Sequence, residues 1–163
     1  MVMQNAPQRL EVQQLDFSKV VDIAAPLDIT WESVLLELGP ESVIDNKPYP
    51  FVFEAWPGGR WFRDLGNNTG HLWGHVQVIK PPTLLEICGP MFASFPVMSH
   101  LQYRLTPDAD AGTTRMTLTH RAYGLMPTEF MKGVDQGWSS GVKRIAEIAE
   151  RLKAERGGKQ SSK

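Results

Sequence analysis

The chain is poor in features that would mark several large classes of protein. It has one cysteine, Cys88, among 163 residues, so no internal disulfide can form. No stretch nears the roughly 20 apolar residues of a membrane-crossing helix. Residues 1–20 carry no uninterrupted apolar segment of the signal-peptide kind. These two absences predict a cytoplasmic protein with no membrane span. Neither charge is in excess: 17 Lys and Arg face 18 Asp and Glu, a net charge of −1. A dedicated nucleic-acid binder would show a basic domain, so no nucleic-acid partner is expected. The motifs G-x-S-x-G, C-x-x-C and H-x-x-E-H are all missing, as is any Gly-Lys-Ser/Thr. No cofactor is therefore expected.

What is present is an ordinary globular composition, 42% hydrophobic and 21% charged, in a length suited to one domain. The polar, aperiodic residues 1–14 are expected to form a flexible N-terminal segment, residues 15–156 a single domain, and residues 157–163 a disordered tail. Phe17, Val21 and Ile23 share one parity, which predicts a strand ended by Ala24-Ala25-Pro26. Trp31, Val34, Leu35 and Leu38 form a helical stripe that stops at Gly39-Pro40, and a second short helical turn is expected over Glu41–Ile44.

Glycine then becomes dense: Pro57–Val76 contains five glycines and the pair Asn67-Asn68. A phosphate loop would set such glycines between a strand and a helix. Here they separate strand-like runs, where Gly and Asn supply the positive φ of tight hairpins. The expected strands are Phe51–Trp56, Arg60–Leu65, His71–Lys80, Leu84–Gly89, Met98–Thr106 and Thr113–Tyr123. After Pro127 the period changes to 3.6: Phe130, Met131, Val134, Trp138, Val142, Ile145, Ile148 and Leu152 predict one helix to about Glu155. Gly133, Gly137 and Gly141 lie four apart within it. Each glycine costs such a helix roughly 1 kcal/mol against alanine, so the stripe signals a close approach by sheet, helix or ligand.

This order of elements, an α+β chain with about seven antiparallel strands and a long last helix, is that of the helix-grip fold. The segments AAPLDITWESV (24–34), GHVQVIKPPTLLEICG (74–89), GTTRMTLTHRAYG (112–124) and GWSSGVKRIAEIAERL (137–152) resemble the SRPBCC or START-like superfamily. Within it the chain is most similar to the branch named for the activator of the heat-shock chaperone ATPase. The resemblance implies a curved antiparallel sheet wrapped around the long helix, with a cavity between them. It implies no single activity, since such domains include carriers, polyketide cyclases and co-chaperones.

Candidate site residues follow from the aromatic and methionine inventory. Trp56, Phe62, Phe95, Met98, Tyr103, Met116, Met131, Val134 and Trp138, with His120 as a polar anchor, are expected to line a site for a small apolar molecule. His120 shares parity with Met116 and Leu118, and is the one candidate general acid–base. Of Arg63 and Asp64, alternation points one toward the cavity. His71 and His75 do not suggest a metal: along a strand they stand about 13 Å apart, too far to share one ion. Alternation places Leu72, Gly74, Val76 and Val78 on the core face. Trp73 is thereby expected on the outer face, where it could mark a homodimer or other subunit contact, unless a bulge at Gly74 turns it inward. The leading expectation is a ligand-binding module. A cofactor-free cyclase or dehydratase and an interaction protein are the alternatives.

Overall fold

The computed structural model describes residues 10–160. Strand β1 (Val12–Ile23) leads into helix α1 (Leu27–Leu38), a small hairpin of β2 (Val43–Ile44) and β3 (Lys47–Pro48), and strands β4 (Val52–Phe53), β5 (Arg60–Gly66), β6 (Thr69–Lys80), β7 (Leu84–Gly89), β8 (Val97–Asp108) and β9 (Thr113–Leu125), before the long helix α2 (Thr128–Gln160). Seven strands form one antiparallel sheet in the order β1-β9-β8-β7-β6-β5-β4. This is the helix-grip arrangement that the order of sequence patterns predicts. β1 already begins at Val12, and α2 runs past Glu155 for about 50 Å at ~1.5 Å per residue.

Alternation builds the sheet. In β8, Ser99, Leu101, Tyr103 and Leu105 point inward and are buried, and in β9 Thr114, Met116, Leu118 and His120 do the same. Opposite them α2 lays down Val134, Trp138, Val142, Ile145, Ile148 and Leu152 at helical spacing, and α1 adds Trp31, Val34 and Leu38. A guanidinium fastens the far end: Arg151 of α2 donates two hydrogen bonds of 2.7 Å to Glu41, just beyond α1.

Two local features differ from the sequence reading. No helical turn forms over Glu41–Ile44. Asp45 and Asn46 take φ of 51° and 59° and close the β2–β3 hairpin instead. Asn and Asp are among the few side chains at ease with both central φ values positive. The expected strand Phe51–Trp56 shrinks to two paired residues, because the chain turns after Glu54, the Trp56 amide bonding the Glu54 carbonyl and the Gly59 amide the Trp56 carbonyl, and Trp56 is left exposed to solvent.

The bulge in β6 matters most. Trp61 pairs with Gly74 and Phe62 with Leu72, so Trp73 is an extra residue that reverses the parity of the strand. Trp73 is thereby buried in the core, not on the outer face. Gly74 and Gly89 permit this. A Cβ on Gly74 would meet the Cys88 carbonyl at 2.7 Å, and one on Gly89 would meet Gly74 Cα at 2.5 Å, so β6 and β7 can close only as bare backbone.

Candidate ligand cavity

Between α2, the end of α1, the β2–β3 hairpin and strands β5–β6 lies a cavity of about 410 Å³. The glycine stripe of α2 forms one wall. A Cβ built on Gly133 or Gly137 would meet nothing within 4 Å. These glycines therefore do not serve close packing; the missing side chains are part of the open space. Val134 and Trp138 face the same space from the adjoining turns of α2.

The opposite wall is aromatic. Phe51 and Trp73 stand 4.5 Å apart between ring centroids, Trp61 and Trp73 5.0 Å, and Trp73 and Phe92 5.6 Å, mostly edge to face as ring quadrupoles prefer. Each cavity indole spends its N–H inside the protein. Trp61 donates to the Leu38 carbonyl at 2.7 Å, Trp73 to His71 Nδ1 at 3.2 Å, and Trp138 to His120 Nδ1 at 3.0 Å.

At the closed end sits Glu37, 9% exposed, on the inner face of α1 with Thr30, Ser33 and Val34. A Cβ at Gly141 would lie 3.4 Å from its Oε1, in van der Waals contact with this carboxyl. Among the described residues no donor bonds it. Burial pushes its pKa up to about 7, against a smaller opposing pull from Arg144. Tyr103, fully buried behind it, has its phenol raised well above the ordinary range, by burial first and by the Glu37 charge second. At the mouth, Arg63 lies on the concave side, its guanidinium 3.4 Å over the Tyr49 ring, opposite His71 in the β5–β6 ladder. Of Arg63 and Asp64, it is thus Arg63 that turns inward.

The residues expected from sequence fall into three groups. Val134 and Trp138 line the cavity. His120, Tyr103 and Met116 are buried in the core beneath it, and Phe95 and Met131 lie half-buried near the start of α2, with Phe95 5.2 Å from Phe130. Trp56 and Met98 are exposed, and Phe62 lies on the convex face under the Arg60 guanidinium at 4.6 Å. His120 has both nitrogens engaged. Because Nδ1 accepts from Trp138, the proton is assigned to Nε2, which donates to Ser99 Oγ at 3.1 Å. Burial lowers its pKa to about 4, so this imidazole is neutral at pH 7. Sequence reasoning did not count Glu37, Tyr49, Phe51, Trp61, His71 or Trp73 among the lining residues, whereas Phe92, part of the aromatic inventory, does line the cavity. For Glu37 a signal existed: it falls three residues after Val34 and seven after Thr30, on the buried stripe of α1.

Among the described residues no three His, Cys, Asp or Glu side chains converge to hold a metal, and no helix is long and apolar enough to cross a membrane.

The fold and cavity together define a helix-grip domain with a partly open, aromatic-walled chamber. No family model matches the chain, and no curated protein does. Solved structures do. SA2116 of Staphylococcus aureus, a protein of unknown function, superposes with a TM-score of 0.67 at 10% identity over 88% of this chain and 98% of its own. CalU16 of Micromonospora echinospora gives 0.56 at 18% identity, covering 95% and 98%. The di-domain ARO/CYC StfQ of the steffimycin biosynthetic pathway gives 0.58 at 13% identity, over 89% of this chain and 52% of that one. At such identities the likeness is one of fold.

Proposed function

We propose that this protein is a cytoplasmic START-like binding module that holds a small, largely apolar molecule between its sheet and α2. The observation that carries this is the pairing of a 410 Å³ chamber with glycines at 133 and 137 that touch nothing across it. A helix gives up roughly 1 kcal/mol per glycine, and nothing in the protein approaches Gly133 or Gly137 closely enough to give packing in return. An apolar occupant would restore those contacts.

Gly137→Leu tests the reading. Leucine gains helix propensity, so thermal stability should hold or rise, while its side chain fills the chamber. Native mass spectrometry of protein from its own host should find a retained small molecule in the wild type and none in the variant. Indole emission should respond to apolar compounds in the wild type alone. A variant that binds as well as the wild type would remove the chamber from consideration.

A cofactor-free cyclase or dehydratase is the second reading, and Glu37 favours it. A carboxyl with a pKa near 7 can both give and take a proton at neutral pH. In that case the acid–base group is Glu37, within the chamber, and His120 serves to position Trp138. The fold likeness to StfQ is compatible with this but transfers no chemistry. No comparable observation favours the homodimer or chaperone-partner reading.

A further inference from the structure

Glu37 also bears on what kind of molecule fits. This step rests on the binding reading above and refines it. Groups in the chamber that can meet a ligand are few. The three indole N–H donors are spent on Leu38, His71 and His120. No Lys or Arg lines the chamber among the described residues. Arg63, at the mouth, is stacked on Tyr49. Arg144 lies within Coulombic reach of Glu37, but its ion pairs are with Glu147 at 3.5 Å and Glu41 at 4.0 Å. What remains is a wall of ring faces, the free side of His71, the hydroxyls of Ser42 and Tyr49, and one buried carboxyl with no donor.

An anionic ligand would find no cation in the chamber lining; Arg144, whose buried Nε has no hydrogen-bond partner, acts on Glu37 from behind the lining, and Arg63 is stacked on Tyr49. A neutral one would leave the Glu37 carboxyl unmatched whenever it ionises, which is costly for a buried charge. A protonated amine matches both kinds of surface at once: it pairs with the carboxylate, and aromatic faces attract cations. We propose that the chamber selects an apolar molecule bearing a protonated amine, with the ammonium seated against Glu37 and the apolar body between the aromatic wall and the glycine stripe.

The test compares matched methylamine, methanol and carboxylate derivatives of two skeletons, adamantyl and biphenyl, by calorimetry on the full chain. The amine should bind roughly tenfold or more tighter than its alcohol at about pH 8, and the carboxylate weakest. Glu37→Gln should bring the amine-to-alcohol affinity ratio down to about one, with circular dichroism showing whether the variant is folded. If the variant fails to fold, the wild-type pH profile decides. The amine-to-alcohol ratio should grow from about pH 5.5 to about pH 8 as Glu37 ionises. The groups facing Glu37 are Arg144 from α2, Tyr103 from β8 and, across the chamber, His71 from β6. The profile is therefore repeated in His71→Gln, where it should persist.

An amine no tighter than its alcohol, a carboxylate that binds tightest, an advantage that survives Glu37→Gln, or a ratio that is flat or disappears with His71 would each overturn the amine proposal and leave the binding reading standing. No binding by any derivative would overturn both.

Discussion

Glu37 and His120 are both buried titratable groups, and they pull the pH dependence of stability in opposite directions. The Glu37 pKa rises from 4.5 to about 7 on folding. The folded chain therefore holds its proton more tightly than the unfolded one. That contribution is complete below pH 4.5 and is lost as pH rises through about 7. The His120 pKa falls from 6.5 to about 4. Its contribution is complete above pH 6.5 and is lost as pH falls toward 4. Each shift corresponds to something on the order of 3 kcal/mol. In the wild type the two slopes largely cancel over the shared window, and single variants unmask them. Relative to wild type, Glu37→Gln should gain stability as pH rises from 4.5 to 7, and His120→Gln should gain as pH falls from 6.5 to 4. Denaturant titrations at a series of pH values read both differences. Parallel curves for variant and wild type would mean that neither group is buried as described. Of the two, only His120 was legible as a candidate in the sequence, through the parity of β9. Glu37 stands in the run Val34-Leu35-Leu36-Glu37-Leu38, where an acid reads as a solvent-facing helix position until the burial of Thr30 and Ser33 turns the stripe.

At the scale of elements, legibility tracked regularity. The unbroken alternation of β8 and β9 and the 3.6 period of α2 announced themselves. β6 was legible only through its alternative, a bulge at Gly74 that turns Trp73 inward: the extra residue at Trp73 exchanges the faces halfway along, which a period of two does not display by itself. The β2–β3 hairpin was missed because two-residue strands have no period at all, although its turn pair Asp45-Asn46 suits such a bend. Two predictions belong here. Asn46→Val places a β-branched residue at φ 59°, which costs on the order of 1–3 kcal/mol. It should loosen the wall formed by Val43 and Ile44, weakening ligand affinity while the sheet stays intact by circular dichroism. In α2, the half over the chamber buries only Val134 and Trp138 and contains three glycines, whereas the half beyond it buries Val142, Ile145, Ile148, Ala149 and Leu152. Amides of residues 128–141 should exchange with solvent faster than those of 142–155, and an occupant should slow the first set alone. Uniform exchange along α2 would contradict this division.

For the molecule as a whole, sheet and helix are held by a core that is independent of the chamber: Tyr103, Leu105, Met116, Leu118, Ile145 and Ile148 are buried whether or not anything occupies it. The empty form should accordingly be folded, and an occupant should raise its melting temperature by mass action, with about 2.7 kcal/mol gained at a ligand concentration one hundred times Kd. A protein that melts at the same temperature with and without saturating ligand would show that binding lies elsewhere. The glycine stripe gives this separation a further meaning. Because a Cβ at residue 133 or 137 would meet nothing within 4 Å, alanine could enter at either position without a clash, and longer side chains built on that Cβ should reduce the chamber further. On the proposed binding reading, the size limit for a guest would then be written in two codons on one helix, apart from the residues that hold the fold. Sequences with this architecture could move from bulky guests to small ones by single substitutions that leave the core untouched.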